Sequence, residues 1–373
     1  MQFCKLTDDW ESITDVILYG YGAVGKACLG SIRKSFSVAY IIDNDIEKQG
    51  QRVQDLCIYS VAKGIEKRAN RKIIVLTGGR VYLEISNELR RRGLEEYKDF
   101  CSIEFFITEW YWKYKKQNCL MEIHTAITMQ CTLKCRYCNM FVPYYSDKLI
   151  YSLRVLQSEF DLLFKKIDFI FCLTLLGGEP LLHPNFSEII QYLCKKYRDK
   201  IGVIKVITNG TVVPKDDVLE TMKLCPIWIS VSDYTEQVNY VEKMEAFKSS
   251  LEKYSIDYTI VKMKQWSDFC FPHRLINIKN CKEHMKACAP IFHGYNDNKI
   301  YYCHVAWSAE KIGRIKLSET DYVDLRDVAN DDSRHNIARH CLGIMENGYV
   351  SFCQVCGGCG KDNFRRVIAG EQW

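Results

Sequence analysis

The chain has 373 residues, 47% hydrophobic and 26% charged, and its 51 basic and 46 acidic side chains leave a formal charge of +5. That length asks for two or three domains, and a charge so near balance argues for neither a nucleic-acid nor a membrane partner. With no charged leader ahead of an apolar core and no stretch as long as a membrane span, a cytoplasmic protein is expected, and its 19 cysteines are then reduced thiols.

In chain order, 15–20 (DVILYG) reads as an apolar strand, and Gly20-Tyr21-Gly22-Ala23-Val24-Gly25 opens a helix running to about Phe36. A strand at 38–42 ends in Asp43-Asn44-Asp45; a strand at 72–76, a Thr-Gly-Gly turn and a helix over 81–92 follow. The closing Arg90-Arg91-Arg92 suits the negative end of that helix. The alternation predicts a small doubly wound α/β, Rossmann-like domain over 1–117. Gly20, Gly22 and Gly25, with Asp43 about twenty positions on, match the dinucleotide fingerprint. Glycines there let backbone approach a pyrophosphate at a helix N-terminus. The pattern fits a bound nucleotide or nucleotide-sugar and equally a structural or docking module. Tyr111 and Lys115 form a Y-x3-K pair, read as coincidence within an aromatic, lysine-rich linker near 110–118.

A second alternating series begins there. Strands are predicted at 121–128, 168–176, 201–208, 226–232 and 256–263, and helices near 152–166, 185–198, 215–224 and 237–253. Such βα units predict a partial (β/α)6 barrel of the TIM type over 118–265. By strand parity Glu122, His124, Ala126 and Thr128 share one face, Asp168, Cys172 and Thr174 another, and Lys205 aligns with Asn209. Strands buried on both faces should be almost wholly apolar, so a recurring polar face predicts a lumen lined for a hydrophilic substrate. His124, Cys172 and Lys205 are its candidate contacts, whereas His183 reads as a local structural residue.

Cys131-Thr132-Leu133-Lys134-Cys135-Arg136-Tyr137-Cys138 follows the first barrel strand. This C-x3-C-x2-C spacing, with an aromatic before the last cysteine, resembles the signature of the radical S-adenosylmethionine superfamily. A zinc site completed by Cys119 or His124 is the competing reading. Gly177-Gly178-Glu179-Pro180, Thr208-Asn209-Gly210 and Ser230-Val231-Ser232-Asp233 end the next three strands and resemble the same family in order, over roughly 120–265. The resemblance implies that Cys131, Cys135 and Cys138 ligate a [4Fe–4S] cluster whose remaining iron binds S-adenosylmethionine. Gly177, Gly178 and Glu179 would hold the methionine amino group. Thr208, Asn209, Ser230 and Ser232 would meet ribose or carboxylate, beside Tyr137. It also implies a flavodoxin- or ferredoxin-type electron donor and reductive cleavage of the cofactor to a 5′-deoxyadenosyl radical, the protein supplying placement and exclusion of water.

After about residue 265 the alternation fails and cysteines crowd, predicting a small metal-supported domain over 266–373. Cys288 and Cys303 bracket a hairpin-like segment, and Cys353, Cys356 and Cys359 are spaced C-x2-C-x2-C. This resembles the auxiliary-cluster domain called twitch, the short form of SPASM. It implies a second [4Fe–4S] cluster on Cys288, Cys303, Cys353 and Cys356, with Cys281, Cys341 and Cys359 left over. A four-cysteine zinc knuckle is the alternative. A cluster with four protein ligands implies electron transfer, giving net oxidation or re-reducing a hydrogen-donor cysteine in an epimerase. Cys172, Cys270 and Cys281 hold places for such a donor.

Enzymes of this type act on carbohydrates, nucleotides or peptides. An α/β domain in place of a winged helix favours a sugar or nucleotide-linked sugar, with Trp266 as a stacking face and Asp268 as a carboxylate for a pyranose. A peptide- or protein-modifying enzyme is the alternative. A non-enzymatic iron–sulfur redox or iron sensor is a third reading, opposed by the GGEP and TNG positions, which a sensor does not need.

Overall fold

The computed structural model describes residues 6–77, 79–147, 149–289 and 292–373. The chain forms two compact units, Met1–Met121 and Glu122–Trp373. Among the described residues no helix is long and apolar enough to cross a membrane.

The first unit is a sheet flanked by helices. Its elements are β1 (Asp15–Tyr19), α1 (Ala23–Arg33), β2 (Ser37–Ile42), β3 (Arg52–Val53), β4 (Leu56–Tyr59), α2 (Val61–Glu66), β5 (Lys72–Val75), α3 (Gly79–Arg91), β6 (Phe100–Ser102) and α4 (Ile103–Phe105). The sheet order is β3-β4-β2-β1-β5-β6, parallel except for the β3–β4 hairpin. β1 and β5 sit mid-sheet and bury Ile17, Tyr19, Ile73 and Val75 completely, which is why they read as continuous apolar runs. The short β3, β4 and β6 carry too few residues for a periodic signal.

The expected linker near 110–118 is instead largely a wide, π-type helix, Phe106–Lys115, closed by Lys116 at φ +54°. Phe106 and Trp110 stack at 5.4 Å, Phe36 meets Trp110 edge-on at 4.6 Å, and the Trp110 indole N–H donates to the Trp10 carbonyl. Aromatic burial outweighs the lysines at its end. Tyr111 packs in this core with its hydroxyl against Ser35 while the Lys115 ammonium lies over Trp110, so the Y-x3-K pair is not assembled.

The second unit contains β7 (Cys119–Thr128), whose first residues lie in the first unit, and then α5 (Leu153–Lys166), β8 (Phe169–Gly177), α6 (Phe186–Tyr197), β9 (Ile201–Thr208), α7 (Asp216–Lys223), β10 (Ile227–Asp233), α8 (Val241–Lys253) and β11 (Asp257–Lys262). Ser152 caps α5 by accepting the Val155 N–H, and Asp216 and Asp217 open α7 where anions suit the dipole. β12 (Gln265–Ser267), α9 (Cys281–Ala287), β13 (Gly294–Asn296), β14 (Lys299–Tyr301), α10 (His304–Lys311), β15 (Tyr322–Asp324), α11 (Asp331–Cys341) and β16 (Arg366–Ile368) complete it.

Its main sheet runs β11-β10-β9-β8-β7-β13-β14-β15. β8 to β11 pair in parallel, the core of a partial TIM-type barrel. β13 joins β7 in parallel, and β14 and β15 turn back antiparallel, so the cysteine-rich segment extends the barrel sheet. The side chain of Asn296 fastens this junction by bonding both the N–H and the carbonyl of Ala126. β12 and β16 form a separate antiparallel pair that returns the last residues to the barrel.

Candidate active site

The C-terminal ends of β7 and β8 are built to touch. The Gly178 N–H donates to the Thr128 carbonyl and the Glu179 N–H to the Gln130 carbonyl, at 2.9 and 2.7 Å. A Cβ on Gly177, which lies at φ +150°, would fall 1.8 Å from the Thr128 oxygen, and one on Gly178 would fall 2.2 Å from that of Gln130. Only glycine leaves room for the cysteine loop here. Glu179 is fully buried. Its carboxylate accepts from the Leu181 and Asn209 N–H groups and from the Thr208 hydroxyl, tying β8 to β9. It is not among the residues lining the cavity beyond, and its carboxylate ties the ends of β8 and β9 together. Burial pushes its pKa up to about 7.

That cavity, of about 420 Å3, is lined by all three thiols of the loop, Cys131, Cys135 and Cys138. Tyr137, Gly177, Gly178, Thr208, Asn209, Ser232, His124 and Trp266 line it too. Ser230 does not; it lies two residues before Ser232 on the same strand face. Burial pushes the thiols up, Cys131 to about 12 and Cys135 and Cys138 to about 11. N–H groups nevertheless aim at the sulfurs: Leu133 and the Asn209 amide at Cys131 (3.4 and 3.6 Å), and the Gln372 amide at Cys135 (3.3 Å). Three thiols lining one cavity, with N–H donors at Cys131 and Cys135, suit a thiolate-held cluster with one iron left open.

Below the cavity, strand parity assembles a polar group. The Glu122 carboxylate bonds His124 at 2.9 Å, Thr174 at 2.7 Å and the Lys205 ammonium, while the Cys172 thiol lies 3.6 Å from the Thr174 hydroxyl. Burial alone would raise the Glu122 carboxyl, but His124 and Lys205 hold it well below its usual range. Of the predicted substrate contacts here, His124 reaches the cavity, whereas Cys172 and Lys205 are tied up behind it. Asp168 leaves this face, lying before β8 and pairing with Arg334 at 2.8 Å. His183 is structural: its ring bonds the Tyr151 carbonyl and the Asn185 N–H.

Residues 125–253 match the family model described as the radical SAM superfamily. This is a radical SAM domain. Such domains work with a [4Fe–4S] cluster and S-adenosylmethionine, the set of groups the three thiols and the strand-end cavity suit. The chain is 31% identical over 121 residues to the antilisterial bacteriocin subtilosin biosynthesis protein AlbA of Bacillus subtilis, a match covering 32% of this chain and 25% of that protein. The structure of anSMEcpe with bound AdoMet and the Kp18Cys peptide aligns at 20% identity, over 39% of this chain and 44% of that one, with a TM-score of 0.32. Streptococcus suis SuiB bound to its precursor peptide SuiA aligns at 13% identity over 48% and 51%, with a TM-score of 0.27. The chain thus spans a quarter of the curated relative and about half of each solved structure.

Beside the radical SAM cavity lies a second, narrower one, lined by Cys288, Cys303, Cys353, Cys356 and Cys359. The structure does not set Cys359 apart: its sulfur is 3.6 Å from that of Cys288. That contact draws the Cys288 thiol down to about 7, while burial pushes Cys303 up to about 12. Cys281 stands aside, its thiol donating to the Ile278 carbonyl at 3.2 Å. Phe269, Phe292, Val305 and Cys359 line both cavities and so form the wall between them.

Two carboxylates are placed differently from expectation. Asp268 is buried, accepts the N–H of Cys270 at 2.7 Å within its own turn, and is not among the cavity-lining residues, although Trp266 is. The proposed pyranose pair is therefore not assembled. In the first unit Asp43 accepts from the N–H groups of Tyr21 and Asp45, at 2.7 and 2.9 Å, and closes the glycine turn itself. Gly20 lies at φ +101°, and a Cβ on Gly25 would fall 2.5 Å from the Gly20 oxygen, so Gly20 and Gly25 serve turn and packing geometry. Gly22 is the exposed N-cap residue of α1.

Sequence reasoning missed the chain's last residues. Cys135 bridges antiparallel to Gln372, the Arg136 N–H donates to the Glu371 carbonyl at 2.7 Å, and the Trp373 N–H to the Lys134 carbonyl at 3.1 Å. Four residues offer no periodicity by which such a pairing is read.

Proposed function

We propose that this chain is a radical SAM enzyme that modifies a peptide, with a second [4Fe–4S] cluster among Cys288, Cys303, Cys353, Cys356 and Cys359. The observation that carries this is the 31% identity with AlbA, a bacteriocin biosynthesis protein, across 121 residues; bacteriocins are peptides. The sugar reading loses support because Asp268 is turned away from the cavity that Trp266 lines.

When bound, the cluster and S-adenosylmethionine supply an electron and a 5′-deoxyadenosyl radical able to take a hydrogen atom from carbon. The chain's own residues do the placing. Cys131, Cys135 and Cys138 hold the cluster at the cavity. Gly177 and Gly178 keep side chains out of the space beside it, and Glu179 locks the ends of β8 and β9 at Thr208 and Asn209, which line the cavity together with Ser232. His124 presents its imidazole from below. Phe269, Phe292, Val305 and Cys359 separate the two cavities by one layer of side chains, a short path for an electron leaving a substrate radical. Such a path serves the net oxidation proposed here.

The test is to reconstitute the full chain anaerobically and supply reductant and S-adenosylmethionine with either peptides encoded beside its gene or nucleotide-sugars. Peptide-dependent 5′-deoxyadenosine and a peptide product lighter by two hydrogens are expected. Formation dependent on a sugar, with peptides inert, would return the carbohydrate reading.

A further inference from the structure

Gln372 lies far from the cysteine loop in sequence yet contacts it through both ends of its side-chain amide. Its Oε1 accepts the Lys134 N–H at 2.7 Å, and its Nε2 donates to the Gly370 carbonyl at 2.7 Å and to the Cys135 sulfur at 3.3 Å. The amide can face only this way: a backbone N–H donates and a carbonyl accepts, so the oxygen turns to Lys134 and the nitrogen to Gly370 and the sulfur. The surrounding tail is held in place. Its backbone pairs with residues 134–136, the Arg136 guanidinium lies over the Trp373 ring and bonds Glu371, and the same ring packs near Tyr144 and His273.

We propose that Gln372 is a positioning residue that raises the reduction potential of the cluster held by Cys131, Cys135 and Cys138. Reduction adds one electron, and part of that charge resides on the cysteine sulfurs. An N–H aimed at one of them stabilises the reduced form more than the oxidised form. The electron comes from the external donor, and no bond is made or broken at Gln372. The amide of Asn209 reaches Cys131 in the same manner but also lines the cofactor cavity, so Gln372 isolates the effect. This inference rests on the radical SAM reading and adds to it which residue governs electron entry.

The experiment is a redox titration of the reconstituted full chain followed by electron paramagnetic resonance, tracking the cluster whose signal changes on adding S-adenosylmethionine. Gln372→Met keeps the side-chain length and removes the N–H. Gln372→Glu keeps an acceptor for Lys134 while placing an acceptor against the sulfur. Both are expected to shift that couple downward, lowering its reduced-to-oxidised ratio at fixed potential by about tenfold, ~59 mV for one electron. The auxiliary couple should stay where it is. An unmoved couple in both variants, with iron content kept, would leave Gln372 a mere staple and overturn the proposal. If Gln372→Met fails to hold its cluster, the Glu variant decides alone. A parent chain with no signal responsive to S-adenosylmethionine would overturn the proposal together with the reading beneath it.

Discussion

Glu179 illustrates how burial and hydrogen bonding compete at one residue. Its donors favour the ionised form, yet full burial wins and the pKa rises to about 7. An acid whose pKa is raised by folding keeps its proton longer in the native chain. Its contribution is therefore fully present below about 4.5 and is lost as pH rises through about 7, by on the order of 3 kcal/mol. Glu159, raised to about 7 by burial and by Asp297, acts in the same unit and the same direction. Buried His293 and His340, both lowered to about 4, pull the opposite way, so the Glu179 contribution is read as a difference. In urea unfolding of the apoprotein the parent should lose stability relative to Glu179→Gln between about pH 4.5 and 7; a difference that does not change with pH would refute the assignment. For Cys135 the expectation is simpler. Cys135→Ala should abolish cofactor cleavage and lower iron by about one cluster, checked by 5′-deoxyadenosine and iron assays.

At the scale of elements, close approach of backbone decides what is tolerated. Gly178→Ala would press a Cβ against the Gln130 carbonyl and bring it within 3.0 Å of the Cys131 Cβ. Displacing the loop should cost about 1–3 kcal/mol and lower cluster occupancy, read as the absorbance of reconstituted protein against apoprotein stability. The π-type helix offers a separate check in the first unit. Trp110→Ala leaves Phe106, Phe36 and Trp10 around a cavity and should cost about 3–5 kcal/mol, seen as a lowered melting temperature. A linker, as the sequence suggested for 110–118, would show almost no change. The misreading has a physical source: aromatics alternating with lysines mask the wider helical turn on which the rings actually meet.

For the whole molecule, the two thiol-lined cavities sharing one wall predict about eight irons per chain after reconstitution. Cys303→Ala should remove about four of them while leaving some cofactor cleavage uncoupled from product, measured as 5′-deoxyadenosine in excess of modified substrate. Unchanged iron accompanied by zinc would mark the second cavity as a zinc knuckle.

Local pattern alone determined the alternating strands and helices, the three-cysteine loop, the GGEP and TNG turns, and the polar parity that unites Glu122, His124, Cys172, Thr174 and Lys205. These features repeat at the period of their own element, or sit within a few residues of one another, so the chain carries them without reference to anything distant. Tertiary structure decided which of the polar residues remain available. Glu179, Asp43 and Asp268 bond their own turns or neighbouring strand ends, a preference that composition and spacing do not encode. It also decided that β13 to β15 extend the barrel sheet, that Cys359 joins the second thiol group, and that Gln372 reaches the sulfur of Cys135. Those contacts form between segments with no shared periodicity, and only the folded backbone brings them within hydrogen-bonding distance.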